Sequence, residues 1–134
     1  MFVSAVLRSW RLTVCRHLGI SLNMRIYKIL RADEWRDLQA AGATQGAPID
    51  VADGYVHFST AAQAAETAAK YFAGVDGLML LELEADELGA LKWEPSRGGQ
   101  LFPHLYGPLR LADVKSAHPL PLAQDGHAFP EGFA

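Results

Sequence analysis

The stretch that decides the fold is DGYVHFST at residues 53–60, because it joins a turn, a strand and the start of a helix. Residues 55–59 are rich in the aromatic and β-branched types that favour strands. Alternate side chains of a strand point to opposite faces, so Val56 and Phe58 are predicted to enter the core. His57 then lies on the opposite face, as a polar residue in a largely apolar strand, and is the first candidate for function.

A helix is predicted directly after this strand. Thr60 followed by Gln63 fits a capping box, and residues 61–72 have high helix propensity. The free N–H groups at a helix N-terminus attract anions, so His57, Ser59 and Thr60 are predicted to hold a phosphate or a ribose hydroxyl. The alternative is that Ser59 and Thr60 only cap the helix, while His57 is a buried histidine with its hydrogen bonds satisfied.

The rest of the chain alternates between strand and helix patterns. Further strands are predicted at 25–31, 77–83, 91–94 and 114–118, a first helix at 32–41, and a loop at 43–53. This order favours a small single α+β domain, with a mixed or largely antiparallel split β-sheet and two main helices, over a doubly wound fold.

The two ends of the chain read differently from the middle. Residues 1–23 contain three arginines and no Asp or Glu, which is typical of a targeting segment or of sequence upstream of a true start at Met24. Residues 24–122 are predicted to form the single domain, which is enough chain for a hydrophobic core. Residues 123–134 are predicted to be a flexible tail.

Composition limits the classes of partner. The net charge is −3, with 12 basic and 15 acidic side chains, so binding to nucleic acid is not expected. The arginines near the N-terminus interrupt the apolar residues, and no membrane span is predicted. Cys15 is the only cysteine, which excludes an intrachain disulfide and favours a reducing, cytoplasmic location.

Several common catalytic motifs are absent from the sequence. There is no phosphate-binding Walker loop, no G-x-G-x-x-G, no G-x-S-x-G, no C-x-x-C and no H-E-x-x-H. These absences argue against P-loop enzymes, Rossmann oxidoreductases, α/β-hydrolases and zinc proteases.

A second unusual segment is FPHLYGPL at residues 102–109. Its prolines restrict the backbone, and Gly107 permits a tight turn. An aromatic side chain beside a histidine suits stacking on a nucleobase or nicotinamide ring, with His104 as a hydrogen-bond donor or proton carrier. The alternative is a packed surface loop whose aromatic residues belong to the core.

Glu94 is the best candidate for a catalytic carboxylate, because it follows Trp93 near the end of a predicted strand. His57 and His104, together with Glu94 or Asp53, would give two histidines and one carboxylate. In other proteins such a set of side chains binds metal ions. Nothing in their spacing requires this arrangement, so no metal site is predicted.

The motifs at residues 53–60 and 102–109, together with W-E at 93–94, resemble a bacterial family known as domain of unknown function 952. The resemblance covers residues 24 to about 122 and implies a fold like that of the ADP-ribosyltransferases, with a cleft for NAD as substrate. It implies that His57, with Ser59 and Thr60, holds the substrate. It further implies that Tyr71 or Tyr106 stacks on nicotinamide, and that Glu94 supplies the acid.

Three functions remain open on the sequence. They are an NAD-dependent transferase or glycohydrolase, a catalytically silent domain that binds a small nucleotide-like metabolite, and a protein-interaction domain. An unpaired Glu94 pointing into a pocket would favour the enzyme. The predicted catalytic residues are His57, Glu94 and His104, and the predicted ligand-binding residues are Ser59, Thr60, Tyr71, Phe102, Tyr106 and Gly107.

Overall fold

The computed structural model describes residues 24–133. The helices are α1 (Ala32–Ala41), α2 (Pro48–Asp53) and α3 (Ala61–Tyr71). The longer strands are β1 (Arg25–Leu30), β4 (Leu78–Glu84), β5 (Leu91–Pro95), β6 (Leu101–Leu105) and β8 (Val114–Leu120). The two-residue strands are β2 (Ala43–Thr44), β3 (Val56–His57), β7 (Leu109–Arg110), β9 (Leu122–Ala123) and β10 (Gly126–His127).

Two antiparallel sheets of three strands form the framework, which confirms the predicted small α+β domain with antiparallel pairing. One sheet has the order β1-β4-β8, and the other has the order β3-β6-β5. They meet at a bridge between Tyr27 and Ser59, where each backbone N–H donates to the other residue's carbonyl at 2.8 and 2.9 Å. The junction of the two sheets is therefore fixed by backbone hydrogen bonds.

The central strand of the first sheet, β4, is a near-continuous apolar run, and it overlaps the strand predicted at 77–83. Leu78, Leu80, Leu81 and Leu83 on β4 are all 1% exposed or less. A strand with helices or core on both faces buries successive residues rather than alternate ones, which explains the near-continuous leucines. Val56 and Phe58 join the same core, so the predicted inward face of β3 is confirmed.

Helix α3 begins at the predicted capping box. Gln63 N–H donates to Thr60 Oγ1 at 3.2 Å, and Thr60 N–H donates to Gln63 Oε1 at 3.0 Å. The buried residues of α3 are Gln63, Ala64 and Ala68, and Ala68 packs in a cluster with Ile29 of β1. Small side chains there bring the helix close to the sheet.

Helix α2 lies where the sequence predicted only a loop, so the domain has three helices rather than two main ones. Pro48 occupies its first turn, a position where its missing N–H costs nothing. Asp50 accepts a hydrogen bond from Ala47 N–H at 2.7 Å, and Gly54 ends the helix with φ of +88°. Ile49 and Val51 are 60% and 62% exposed. The helix therefore has no buried apolar face that a sequence pattern could show.

The C-terminal residues make defined contacts where the sequence predicted a flexible tail. Strands β9 and β10 pair with each other, and His127 Nε2 donates to Val75 O at 2.7 Å. Phe133 meets Tyr27 of β1 edge-on, with ring centroids 4.8 Å apart, and stacks on Phe129. This segment therefore covers one face of the first sheet.

The prediction for residues 1–23 falls outside the described residues. Within residues 24–133, none of the helices has the length and apolar character needed to cross a membrane.

Candidate functional site

A cavity of about 780 Å³ opens at the junction of the two sheets. Its volume lies within the range of small-molecule sites, about 300–1,000 Å³. Strand β1, the three helices, strands β3 and β6 and neighbouring residues all contribute to its wall. Aromatic rings supply much of the lining, namely Tyr27, Tyr55, Phe58, Tyr71, Phe72 and Phe102.

The polar centre of this wall is Asp50, whose side chain is completely buried. One of its oxygens accepts hydrogen bonds from Lys28 Nζ and Ala47 N–H, each at 2.7 Å. The other accepts from His57 N–H at 3.0 Å and faces His57 Nδ1 at 2.5 Å. Asp50 therefore ties α2 to β1 and β3 and fixes the histidine ring.

Burial alone would raise the pKa of Asp50, but hydrogen bonding from His57 and the charge of Lys28 outweigh it and lower the pKa to about 2. Burial also lowers the pKa of Lys28, an effect that the Asp50 carboxylate opposes. Lys28 Nζ donates in addition to His57 O at 3.0 Å. A buried ion pair with this many hydrogen bonds is expensive to break from either side.

Acid should destabilise the domain through Asp50. Its pKa is lower in the folded state than its ordinary 3.8, so its contribution is complete above about pH 4 and is lost as the pH falls toward 2. The expected loss is about 2 kcal/mol of the free energy of unfolding. Urea denaturation at several pH values from 5 to 2 gives the free energy of unfolding as a function of pH. The loss appears as a steeper fall of this free energy in wild type than in Asp50→Asn. Identical slopes in the two proteins would contradict this assignment.

His57 lies between two carboxylates at the cavity wall. Its Nδ1 faces Asp50, and its Nε2 lies 2.9 Å from Asp53 Oδ2. The side chain is 30% exposed, so it is held in place yet accessible. An imidazolium donates to both carboxylates, whereas a neutral ring donates to only one of them.

A second histidine occupies the neighbouring strand. His104 is 2% exposed, and its Nδ1 lies 2.8 Å from Glu94 Oε1. The same oxygen accepts from Tyr106 OH at 2.8 Å, and hydrogen bonds from His104 and Tyr106 lower the pKa of Glu94. His104 Nε2 is buried and has no hydrogen-bond partner among the described residues. Glu94 thus orients His104 and leaves one ring nitrogen unused.

Tyr55 joins the two histidines into one row of rings. Its ring stacks on His104 with centroids 4.2 Å apart and lies 4.7 Å from His57 and 5.2 Å from Tyr106. His57 and His104 are directly opposite each other on β3 and β6, with ring centroids 5.4 Å apart. The pairing of these strands therefore brings the two sequence motifs together.

Comparison with known proteins identifies the family. The model of the family described as "Protein of unknown function (DUF952)" matches residues 29–117. The chain belongs to this family. A search of the curated proteins finds no significant match.

Solved structures of one relative resemble this fold. They are the crystal and solution NMR structures of protein CC0527 from Caulobacter crescentus, determined as structural genomics targets. The crystal structure is 50% identical, covers 77% of this chain and 91% of its own, and gives a TM-score of 0.74. The NMR structure is also 50% identical, with 77% and 90% coverage and a TM-score of 0.70.

In this DUF952 domain the predicted site residues separate into two groups. Those that line the main cavity are His57, Ser59, Tyr71, Phe102 and His104. Those outside its lining are Thr60, Glu94, Tyr106 and Gly107. Glu94 is paired rather than free, which is the arrangement that disfavours it as the catalytic acid.

The residues outside the cavity have other contacts. Thr60 caps α3, while Tyr106 donates to Glu94. Gly107 borders a smaller hollow of about 130 Å³ beside Gly54 and Val56. Ser59 lines the main cavity, and its Oγ lies 2.9 Å from Thr67 Oγ1. For Thr60, the structure thus matches the alternative in which the side chain caps the helix.

Three residues of the site were not singled out from the sequence, namely Lys28, Asp50 and Tyr55, and Asp53 was named only as a possible metal ligand. Lys28 gave a detectable sign, because it is the only charged residue among the apolar ones of Ile26–Leu30. The sequence gave no such sign for Asp50, since an aspartate near a proline is ordinary in loops.

The structure also bears on metal binding. Residues 24–133 contain no group of three or more His, Cys, Asp or Glu side chains placed to hold an ion.

Proposed function

We propose that the cavity binds NAD or a closely related nucleotide, on a fold of the ADP-ribosyltransferase type. One observation carries the proposal. At the junction of two three-stranded sheets, an accessible histidine is held by Asp50 and Asp53 inside a cavity walled by aromatic rings. The partly exposed Asp53 carboxylate that this histidine holds suits a ribose hydroxyl, and the rings suit a flat base.

Each part of the ligand has a matching part of the wall. Tyr71, which is 58% exposed, and the buried Phe102 both line the cavity, and their rings suit contact with an aromatic ring of the ligand. The Asp53 carboxylate presents an acceptor to the ribose hydroxyls, and His57 holds that carboxylate in place. In this proposal Glu94 is a positioning residue, because it reaches the ligand only through His104.

Binding of NAD should depend on His57. Saturation-transfer NMR with NAD and ADP-ribose should detect the nicotinamide and adenine protons with wild type. The affinity should fall at least about tenfold in His57→Ala, which removes the partner that holds Asp53 and one ring face of the cavity wall. His118→Ala is the matched control, since His118 contacts Ser116 and does not line the cavity.

A second variant separates binding from folding. His57→Asn keeps a donor for Asp50, so it should retain more stability than His57→Ala while still losing affinity for NAD. Circular dichroism and urea denaturation report the folding of each variant. Absence of saturation transfer from wild type at millimolar NAD would contradict the proposal.

Cleavage of NAD is a second candidate, and the partly exposed Asp53 carboxylate favours it. When the bond between nicotinamide and ribose breaks, its electrons leave with nicotinamide and positive charge develops on the ribose carbon. A carboxylate nearby stabilises that charge more in the transition state than in the ground state. Nicotinamide release, compared between wild type and Asp53→Asn, tests it, and equal release would contradict the role of Asp53.

A further inference from the structure

His104 is part of the cavity wall and is held in place from outside the cavity. It lines the cavity, whereas Glu94, which lies 2.8 Å from its Nδ1, does not. Hydrogen bonds from His104 and Tyr106 lower the pKa of Glu94, so this carboxylate is ionised at neutral pH. An ionised carboxylate only accepts hydrogen bonds, so Nδ1 carries a hydrogen. In the neutral ring, Nε2 is then left with a lone pair and no hydrogen.

This second ring nitrogen has no partner within the protein. His104 Nε2 is buried, and no hydrogen bond joins it to any residue that the structure describes. Tyr55 stacks on the face of the ring, with centroids 4.2 Å apart, but a stacked ring supplies no donor to a nitrogen lone pair. Since buried polar groups are nearly always hydrogen-bonded, Nε2 is suited to a donor that comes from a ligand.

Ser59 offers the same polarity to the cavity. Thr67 Oγ1 donates to Gln63 O at 3.1 Å, which uses the only hydrogen of that hydroxyl. Ser59 Oγ lies 2.9 Å from Thr67 Oγ1, so the hydrogen between them belongs to Ser59. Ser59 lines the cavity and has only lone pairs left to offer there. Ser59 and His104 are therefore both acceptors of the cavity wall.

An aromatic side chain lies beside His104 on the same strand. Phe102 precedes His104 by two residues on β6, so the two side chains lie on the same face of the strand. Both of them line the cavity. A flat ring that packs on Phe102 therefore brings the groups on its edge towards His104.

We infer that this cavity selects a flat heterocycle with an exocyclic NH2 group, which donates to His104 Nε2, over analogues that lack this donor. The inference rests on the proposed function, because it concerns the same cavity and names the group of the nucleotide that is recognised. NAD carries two such groups, the amino group of adenine and the carboxamide of nicotinamide. Because Nε2 is buried, the ligand reaches it with a shift of the Tyr55 ring that lies against His104.

Isothermal titration calorimetry of the full chain with NAD and two analogues tests the selection. Nicotinamide hypoxanthine dinucleotide has a carbonyl oxygen in place of the adenine amino group. In 3-acetylpyridine adenine dinucleotide a methyl group replaces the amide NH2. We expect at least one analogue to bind about tenfold more weakly than NAD, and the weaker one identifies the recognised group.

A variant at His104 shows whether this residue makes the distinction. His104→Phe keeps an aromatic ring beside Tyr55 but removes the acceptor, so NAD and the discriminated analogue should bind it with equal affinity. His118→Phe, the matched substitution outside the cavity lining, should keep the tenfold ratio. Circular dichroism reports the folding of both variants.

Long-range ¹H–¹⁵N spectra of the wild-type protein test the same contact without a variant. In the free protein, the His104 ring should carry its hydrogen on Nδ1 and a lone pair on Nε2. The Nε2 signal should move upfield when NAD binds, because the lone pair then accepts a hydrogen bond. A hydrogen on Nε2 in the free protein, or an Nε2 signal that bound NAD leaves unchanged, would overturn the inference.

The outcomes distinguish this inference from the proposed function. Equal affinities for the three dinucleotides, or an undiminished ratio in folded His104→Phe, would overturn the inference and leave nucleotide binding intact. If no dinucleotide binds, the proposed function fails, and two pairs of small molecules then decide the inference alone. These are adenosine against inosine and nicotinamide against 3-acetylpyridine. Preference for the member with the NH2 group in either pair would support it, and equal or absent binding in both would overturn it.

Discussion

Replacing Asp50 with alanine should lower the free energy of unfolding by about 3–5 kcal/mol, because a buried charge then has no partner. The Lys28 side chain is only 7% exposed, so its charge loses its partner in a largely buried position. The backbone N–H groups of Ala47 and His57 also lose their acceptor. Urea denaturation at pH 7 measures the loss.

Two variants make this result specific. Asp113→Ala removes a carboxylate that lies 3.5 Å from the 65% exposed side chain of Arg110, and it should cost less than about 1 kcal/mol. Combining Asp50→Ala with Lys28→Met should restore part of the lost stability, since no buried charge is then unpaired. A loss at Asp50 no larger than that at Asp113, or no recovery in the double variant, would contradict the assigned role.

A substitution at Gly46 should disturb the hydrogen bonds of Asp50, although Gly46 is not itself a partner of Asp50. Gly46 has φ of +101°, and a Cβ built there would lie 2.3 Å from Asp50 Oδ2 and 2.6 Å from Asp50 Cβ. Gly46→Ala therefore combines backbone strain with displacement of a carboxylate that holds Lys28 and His57. We expect it to reduce the free energy of unfolding by about 2–4 kcal/mol.

Gly42 provides the matched control for the strain alone. Its φ is +83°, but a Cβ there would meet nothing within 4 Å. Gly42→Ala should cost only about 1–2 kcal/mol, the cost of a left-handed residue with a side chain. Gly46→Ala should also weaken NAD binding, while Gly42→Ala should not. Equal losses of stability in the two variants would show that Asp50 does not fill the space beside Gly46.

The parts of the fold that sequence predicted are those decided by neighbouring residues. The alternation that sends Val56 and Phe58 inward is a local property of a strand, and the capping box of Thr60 and Gln63 is a local property of a helix end. Both are seen in the structure. Helix α2 escaped prediction because it depends on a tertiary contact, the burial of Asp50 against Lys28, rather than on an apolar face.

The candidate site was predicted only in part for the same reason. His57 and His104 stood out as polar residues in apolar segments, and both line the cavity. Their partners depend on strand register, which pairs His57 with His104 and places Glu94 opposite Phe102. No short sequence window contains that register, so the sequence could name Glu94 as a candidate carboxylate but could not show that it holds His104.

The most direct test of the proposed site observes the histidine rings themselves. Two-dimensional ¹H–¹⁵N spectra of uniformly labelled protein, recorded during a titration with NAD, report on each imidazole. We expect the His57 ring signals to shift and saturate with the same affinity that calorimetry gives. His118 and His127, which do not line the cavity, should stay unchanged. An unperturbed His57 at millimolar NAD in folded protein would contradict the claim that NAD binds in this cavity.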